Sequence, residues 1–191
     1  MITLFFWLII TAQILVMISI VFSILFPARR IWPPNEPSSW INYSMWFLFD
    51  ISTIGIIVLG ILDWGSLASA SWIQIVFGAP LSIGGLGFAL WSISILGLSS
   101  TYGNEGPLVL RGPYRFSRNP QYLGFIVALI GWAIITSSKA TTLAALVFIV
   151  PMILIPFAEE PWLLQKHGAE YEEYMRKVPR FVLLKKRNKA A

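Results

Sequence analysis

The chain has 191 residues, of which 57% are apolar and 12% are charged, and its formal net charge is +5 at pH 7. A soluble core of this size cannot bury so many apolar side chains, whereas lipid can solvate them on the outside of a helical bundle. With no cysteine and one histidine, the chain has no basis for disulfide frameworks, thiol nucleophiles, Cys-rich zinc sites or His-cluster iron sites, and we expect no metal. Because the basic residues flank apolar segments, their expected partners are anionic membrane lipids and not nucleic acid.

Five apolar runs predict five membrane-spanning helices. The first run, Ile2–Phe26, carries no charge and ends at Pro27, ahead of Arg29 and Arg30. It is too long for a signal peptide and has neither a basic leader nor a small-residue cleavage site. We therefore expect it to stay in the protein as a helix.

The second and third runs, Trp40–Leu62 and Trp72–Leu98, follow a Pro-rich loop and a short polar link. Asp50 lies inside the second run, and a charged residue at membrane depth is either a functional group or one partner of a buried helix–helix hydrogen bond. The third run holds Pro80 and several glycines, so we expect this helix to be kinked.

A polar segment, Ser99–Asn119, precedes the last two runs and is too polar for the bilayer core. The fourth and fifth runs, Gln121–Thr136 and Ala140–Phe157, are joined by three polar residues and predict a tight helical hairpin. Because of this hairpin, the start of the fourth helix and the end of the fifth should be neighbours.

An amphipathic helix is predicted from Pro161 onward, with a break at Gly168 and an end at Pro179. His167, beside the break, is interpreted as an interfacial residue without a catalytic role. Two pairs at i,i+4 spacing support the helix, Glu172 with Arg176 and Glu173 with Lys177.

The distribution of basic residues distinguishes between topologies. With the amino terminus outside, five spans place all 14 basic residues except Lys139 on the inner side, as the positive-inside rule favours. Four spans would put Arg29 and Arg30 opposite the Arg-rich segment without a physical reason. We therefore expect the carboxyl-terminal tail, including Lys185–Lys189, to be cytosolic.

Together these features predict an all-α integral membrane protein with about five transmembrane helices, a C-terminal helical hairpin and an amphipathic cytosolic helix. We expect a single membrane domain over residues 1–191. Residues 1–71 would supply two N-terminal helices, and residues 72–191 the functional core.

Three polar groups gather on the predicted inner face: Arg111–Gln121, Glu159 with Glu160, and Tyr171–Arg180. Interfacial ion pairs alone would explain their charge complementarity. The first group, however, places prolines, aromatic residues and arginines together at the mouth of a helix, where backbone N–H groups are free. That density favours a site for a charged small molecule.

Several separated blocks in these groups resemble the isoprenylcysteine carboxyl methyltransferase family and its phospholipid methyltransferase relatives. The resemblance covers about residues 80–180, and the first two helices carry no matching motif. The blocks are Gly112-Pro113-Tyr114, Arg118-Asn119-Pro120-x-Tyr122-x-Gly124, Glu159-Glu160-Pro161-x-Leu163, and Tyr171-x-x-Tyr174 with Val178-Pro179.

The resemblance implies an S-adenosylmethionine-dependent membrane methyltransferase, and the chain indeed lacks a Rossmann glycine motif. It implies catalytic roles for Arg118, which can orient a carboxylate, and for Tyr122, which can pack on the sulfonium. It implies that a further set of residues binds the cofactor: Gly112, Pro113, Tyr114, Asn119, Pro120, Leu123, Glu159, Glu160, Tyr171 and Tyr174.

Two features leave alternatives open. Gly85-Leu86-Gly87 matches a Gly-x-Gly that is assigned to the cofactor in phospholipid methyltransferases, but glycines in membrane helices more often serve close helix packing. Asn119 stands where eukaryotic carboxyl methyltransferases usually have histidine, and asparagine cannot act as a base. This departure weakens the assignment to isoprenylcysteine in particular.

The expected reaction is methyl transfer to a lipid-embedded or prenylated acceptor that enters from the bilayer. A carboxylate of isoprenylcysteine is our first choice, since it is ionised near pH 7 and needs no general base. A phospholipid amine is the alternative within the same enzyme class. A non-catalytic binding or transport protein, centred on Asp50 and Pro80, is the alternative from another class.

Overall fold

The computed structural model describes residues 1–36, 39–68 and 71–181, which contain helices and no strand. The five long helices are α1 (Ile2–Leu25), α2 (Trp40–Leu62), α3 (Trp72–Leu96), α4 (Pro120–Thr136) and α5 (Lys139–Lys177). Shorter helical turns lie at Pro27–Arg29, Leu98–Thr101 and Gly112–Arg115.

The lengths of these helices fit a membrane protein. Four of them, α1, α2, α3 and α5, are long and apolar enough to cross a membrane, and α4 is a shorter apolar helix. At 1.5 Å per residue its 17 residues span about 25 Å, close to the roughly 30 Å hydrocarbon core. The prediction of an all-α membrane fold is therefore confirmed, while the predicted tail Lys185–Lys189 lies outside the described residues.

The last helix differs from the prediction in one respect. It continues past Phe157 through Pro161 into the amphipathic segment, so the two predicted elements form one helix. The predicted break is confirmed, because Gly168 has non-helical angles (φ 54°, ψ −129°) inside α5. The helix then ends at Lys177, two residues before Pro179.

The centre of the bundle is formed by α1, α2 and α5, with α4 against α5. Ile9 of α1, Leu59 of α2 and Phe148 of α5 are fully buried there. By contrast, α3 packs mainly along α4 and exposes most of its large apolar side chains. Among the long helices, it is the most peripheral.

Four glycines allow α3 and α4 to approach each other closely. They lie seven residues apart on each helix, Gly78 and Gly85 on α3, Gly124 and Gly131 on α4, and they meet in antiparallel pairs. A Cβ at Gly85 would lie 2.5 Å from the Ala128 nitrogen and 2.7 Å from the Gly124 oxygen. Gly85 therefore serves helix packing, as small residues do between membrane helices.

At the end of the bundle away from the Arg-rich segment, Asp63 ties α2 to the turn between α4 and α5. Its Oδ2 accepts hydrogen bonds from Ser66 Oγ (2.6 Å), Ser138 Oγ (2.7 Å) and the Ala140 backbone N–H (3.0 Å). Partial burial acts to raise the pKa of Asp63, but these hydrogen bonds and the nearby Lys139 charge lower it below its ordinary value.

Candidate active site

The predicted proximity of the Arg-rich segment and the paired glutamates is confirmed by an ion pair. Arg118 Nη1 lies 3.0 Å from Glu160 Oε1, and both side chains are largely buried. The Arg118 backbone N–H also donates to the Pro179 oxygen at 3.0 Å. The segment before α4 is therefore held both by α5 and by the chain that follows it.

A second arginine completes the surroundings of Glu160. Arg180 Nε donates to Glu160 Oε1 at 2.8 Å, and Arg180 Nη2 donates to Oε2. The hydrogen bond to this carboxylate raises the pKa of Arg180, and its guanidinium lies 3.7 Å from the centre of the Phe157 ring. Glu160 thus binds two cations and fastens the segment after α5 to the Arg-rich segment.

Glu159 points in a different direction, as adjacent residues on a helix do. Its Oε1 accepts hydrogen bonds from Tyr122 Oη (2.7 Å) and from Trp32 Nε1 (2.8 Å). Trp32 comes from the loop between α1 and α2 and is only 6% exposed. Sequence reasoning missed Trp32, and it did not single out Arg180, which was only the last residue of a polar group.

A set of buried tyrosines and one asparagine lines the same region. Tyr174 Oη donates to the Tyr114 carbonyl at 2.7 Å, and Asn119 Nδ2 donates to the Arg180 carbonyl at 3.3 Å. Asn119 therefore anchors backbone here. Burial, followed by the Glu159 charge, raises the pKa of Tyr114.

A polar cavity of about 100 Å³ lies between the Arg-rich segment, the loop 103–109 and α5. It brings together six of the predicted site residues: Tyr114, Arg118, Asn119, Glu159, Tyr171 and Tyr174. The lining also includes Gln121, Lys166 and His167. The sequence had indicated only an interfacial position for His167. The remaining predicted cofactor residues lie outside its lining: Gly112, Pro113, Pro120, Leu123 and Glu160.

Six polar atoms in this lining are buried without a hydrogen-bond partner among the described residues: Asn104 Oδ1, Tyr114 Oη, Arg118 Nε and Nη1, Gln121 Oε1 and Lys166 Nζ. The Lys166 side chain is 18% exposed, and its ammonium lies 3.6 Å from Glu105 Oε2, whose side chain is 80% exposed. The ammonium also lies 5.1 Å from the centre of the Trp162 ring. Lys166 is thus a largely buried cation with one weak ion pair at the edge of the cavity.

An apolar cavity of about 240 Å³ lies beside the polar one, between the membrane helices. Phe49, Phe125 and Phe148 contribute to its lining, and Trp32 and Tyr122 form its end next to Glu159. The catalytic candidate Tyr122 therefore belongs to this cavity. Its polar lining groups are the side chains of Asp50, Thr53, Thr101, Tyr102, Gln121 and Tyr122 and the indole N–H groups of Trp32 and Trp46.

Within residues 1–36, 39–68 and 71–181, no three His, Cys, Asp or Glu residues are grouped so that they could hold a metal ion. The titratable residues of the candidate site are instead arranged as ion pairs and hydrogen bonds around two adjacent carboxylates.

Comparison with known proteins identifies the family. The family model for phospholipid methyltransferases matches residues 73–170, just over half of the chain. The chain belongs to the phospholipid methyltransferase family. Membership supports an enzyme that transfers methyl groups in a membrane. The matched range includes both glutamates but neither Trp32 nor Arg180, which bind them.

Curated relatives of this phospholipid methyltransferase family member are distant. The nickel-cobalt-cadmium resistance protein NccN of Alcaligenes xylosoxydans xylosoxydans is 28% identical over 67% of this chain and 60% of its own length. Probable protein-S-isoprenylcysteine O-methyltransferases of rice, subspecies indica and japonica, are 34% identical over 40% of this chain and 41% of their own length. The chain thus spans less than two thirds of the length of each of these relatives, and no solved structure matches it.

Proposed function

We propose that the protein transfers a methyl group from S-adenosylmethionine to a lipid-borne acceptor that enters from the bilayer. The observation that carries this proposal is the position of Glu159. Its carboxylate lines the polar cavity, while its two hydrogen-bond donors, Tyr122 and Trp32, line the apolar cavity. A charged cofactor and an apolar substrate can therefore meet at one buried wall.

The polar cavity suits the chemical groups of this cofactor. No hydrogen bond of the described residues uses Glu159 Oε2, so it can accept from an ammonium or a ribose hydroxyl. Lys166 can pair with the carboxylate of the cofactor, and Tyr114 Oη can form a hydrogen bond to the cofactor without breaking one inside the protein. When bound, S-adenosylmethionine supplies an electrophilic methyl group, and burial of the wall keeps water from competing with the acceptor.

Entry of the cofactor requires the polar cavity to widen. Pockets that enclose small molecules of this kind measure roughly 300–1,000 Å³, whereas the cavity measures about 100 Å³. Residues 103–109 form one of its walls and belong to no helix. We therefore assign the widening to this loop and not to α5.

Two acceptors are supported by the relatives of the chain. The resemblance to isoprenylcysteine carboxyl methyltransferases supports a prenylated cysteine carboxylate, and the rice relatives carry that activity in their names. Arg118, which the resemblance assigns to orient such a carboxylate, lines the polar cavity and not the apolar one. The family match supports a phospholipid amine. A methyl-transfer assay with radiolabelled cofactor, run in parallel on a prenylcysteine analogue and on phosphatidylethanolamine, decides between them.

We also propose that the polar cavity opens to the cytosol, with the amino terminus outside. The basic residues Arg29, Arg115 and Lys166 then share one side of the membrane. Reporter fusions at both termini test this orientation, and a tail reporter that is active only in the outer compartment would contradict it.

Binding of S-adenosylmethionine to the purified protein in detergent is the primary test of the function. We expect saturable binding that Glu159→Gln weakens. The matched control is Gln13→Leu, since Gln13 is a fully buried polar residue of α1 that lines neither cavity. Absence of cofactor binding in lipid-like conditions would refute the proposal and favour a non-catalytic binding protein.

A further inference from the structure

Gln121 occupies the junction between the two cavities. It is the second residue of α4, and it lines the polar cavity as well as the apolar cavity. The side chain is 8% exposed, yet its Oε1 is buried with no hydrogen-bond partner among the described residues. A buried acceptor without a donor is unfavourable, so this atom is expected to receive a hydrogen bond from a ligand.

Gln121 is the chain neighbour of the tyrosine that contacts Glu159. The Tyr122 hydroxyl donates its hydrogen to Glu159 Oε1 at 2.7 Å, and Tyr122 and Gln121 both line the apolar cavity. The free atom of the Gln121 amide is its buried Oε1. An acceptor of hydrogen bonds is thus fixed beside the wall where the reaction is proposed to occur.

The charges of the apolar cavity agree with this assignment. No lysine, arginine or histidine contributes to its described lining, and its one charged residue is Asp50. No hydrogen bond or ion pair of the described residues involves Asp50. Arg118 and Lys166 line only the polar cavity, and Arg118 is already paired with Glu160. A substrate anion in the apolar cavity would find no cation in the lining, whereas an ammonium would find a carboxylate.

We infer that Gln121 is the residue that positions the acceptor, through a hydrogen bond from an N–H group of the substrate to Oε1, and that it selects an amine over a carboxylate. The inference rests on the proposed function and names the chemistry of its acceptor. In the reaction, the bound ammonium first releases one proton to water and becomes the neutral amine. The nitrogen lone pair then forms the new bond to the methyl carbon, the electron pair of the broken carbon–sulfur bond stays on sulfur, and the product is the methylated ammonium.

The test measures binding of labelled amphiphiles of equal chain length to the protein in phosphatidylcholine nanodiscs, without cofactor. The probes are dodecylamine, dodecanoate and dodecyltrimethylammonium. The last of these has the same positive charge as protonated dodecylamine but no N–H group. We expect dodecylamine to bind at least tenfold more tightly than dodecanoate. This comparison uses the wild-type protein, so it does not depend on any variant folding.

Variants then separate the hydrogen bond from the charge. Gln121→Leu should weaken dodecylamine binding about tenfold, the effect of one hydrogen bond to a charged group, and leave dodecyltrimethylammonium unchanged. Asp50→Asn should weaken both cations. Gln13→Leu, which removes a buried glutamine that lines neither cavity, should change neither.

Equal or tighter binding of dodecanoate overturns the inference, as does unchanged dodecylamine binding by folded Gln121→Leu. Different results would refute the role of Gln121 and the proposed methyl-transfer function. A protein that binds S-adenosylmethionine and methylates a carboxylate but no amine refutes the role of Gln121 and keeps the proposed function. A protein that prefers dodecylamine but binds no S-adenosylmethionine refutes the proposed function itself.

Discussion

Glu159 and Glu160 are adjacent and chemically identical, but the structure predicts opposite consequences when each is changed to glutamine. Glu159→Gln keeps the side-chain shape, so donation from Tyr122 and Trp32 can persist to a neutral oxygen. What is lost is the charge that faces the polar cavity. We therefore expect a folded protein with impaired cofactor binding.

The magnitude follows from the number of contacts that one carboxylate can offer. With Oε1 already used twice inside the protein, Oε2 can make one charged hydrogen bond to the cofactor. Losing one such bond costs roughly 1.5–3 kcal/mol, which corresponds to about a ten- to hundredfold weaker affinity. Calorimetric titration of the purified variant measures this directly.

Glu160→Gln should act on stability instead. Glu160 is 14% exposed and neutralises both Arg118 and Arg180. Removing its charge leaves two partly buried guanidinium groups without their anion. Breaking a fully buried pair costs roughly 3–5 kcal/mol, so we expect about 2–4 kcal/mol here and a lower Tm, with cofactor affinity changed less than threefold at temperatures where the variant is folded.

The comparison of the two variants can refute the reasoning. Unchanged cofactor affinity in Glu159→Gln would remove this carboxylate from the cofactor site and leave it as an internal hydrogen-bond acceptor. A larger affinity loss in Glu160→Gln than in Glu159→Gln, at equal folded fraction, would reverse the assignment.

Three further predictions concern other parts of the bundle. Arg118→Lys should lower turnover more than cofactor affinity, because an ammonium cannot replace the guanidinium fork, and equal losses in kinetics and calorimetry would place Arg118 in the cofactor site. Asp63→Asn should lower the Tm at neutral pH. Because the folded-state pKa of Asp63 is lowered, the stabilisation by its carboxylate is complete above the ordinary carboxyl pKa of about 4 and is lost as the pH falls through the folded-state value. The Tm values of the two proteins, measured against pH, should therefore converge in acid, and a constant difference would contradict the assignment. Gly85→Val should destabilise the folded protein by about 1–3 kcal/mol, because the new valine side chain would meet the backbone of Ala128 and Gly124. The control Gly87→Ala should leave the stability unchanged in the same thermal assay, since nothing lies within 4 Å of a Cβ at Gly87.

The helices were predictable because long apolar runs dominate this sequence. The predicted bounds of α2 agree with the structure, and those of α1 and α3 end within two residues of it. The continuity of α5 was not predicted, because the apolar run was predicted to end at Phe157 and a separate amphipathic helix to begin at Pro161. In the structure, Pro156 and Pro161 both lie inside one helix.

The site was predictable only where chain neighbours determine it. The hairpin of α4 and α5 brings Arg118 to Glu160, and that contact could be inferred from connectivity. The contacts of Trp32 with Glu159 and of Arg180 with Glu160 depend on tertiary packing, for which no local pattern exists. Similarly, the reciprocal contact of Gly85 with Gly124 appears only when both helices are placed together.

The hydrogen bond from Trp32 to Glu159 joins residues that are 127 positions apart in the chain. During synthesis the loop after α1 is complete long before α5, so Trp32 has no acceptor until Glu159 has been synthesised. The segment 73–170 that defines the family therefore cannot assemble this wall by itself, because it lacks that donor and also the arginine that follows α5. Completion of the wall is accordingly a late event of biogenesis, and a fragment that keeps only the shared segment retains Tyr122 and Arg118 but loses the other two side chains that bind the paired carboxylates.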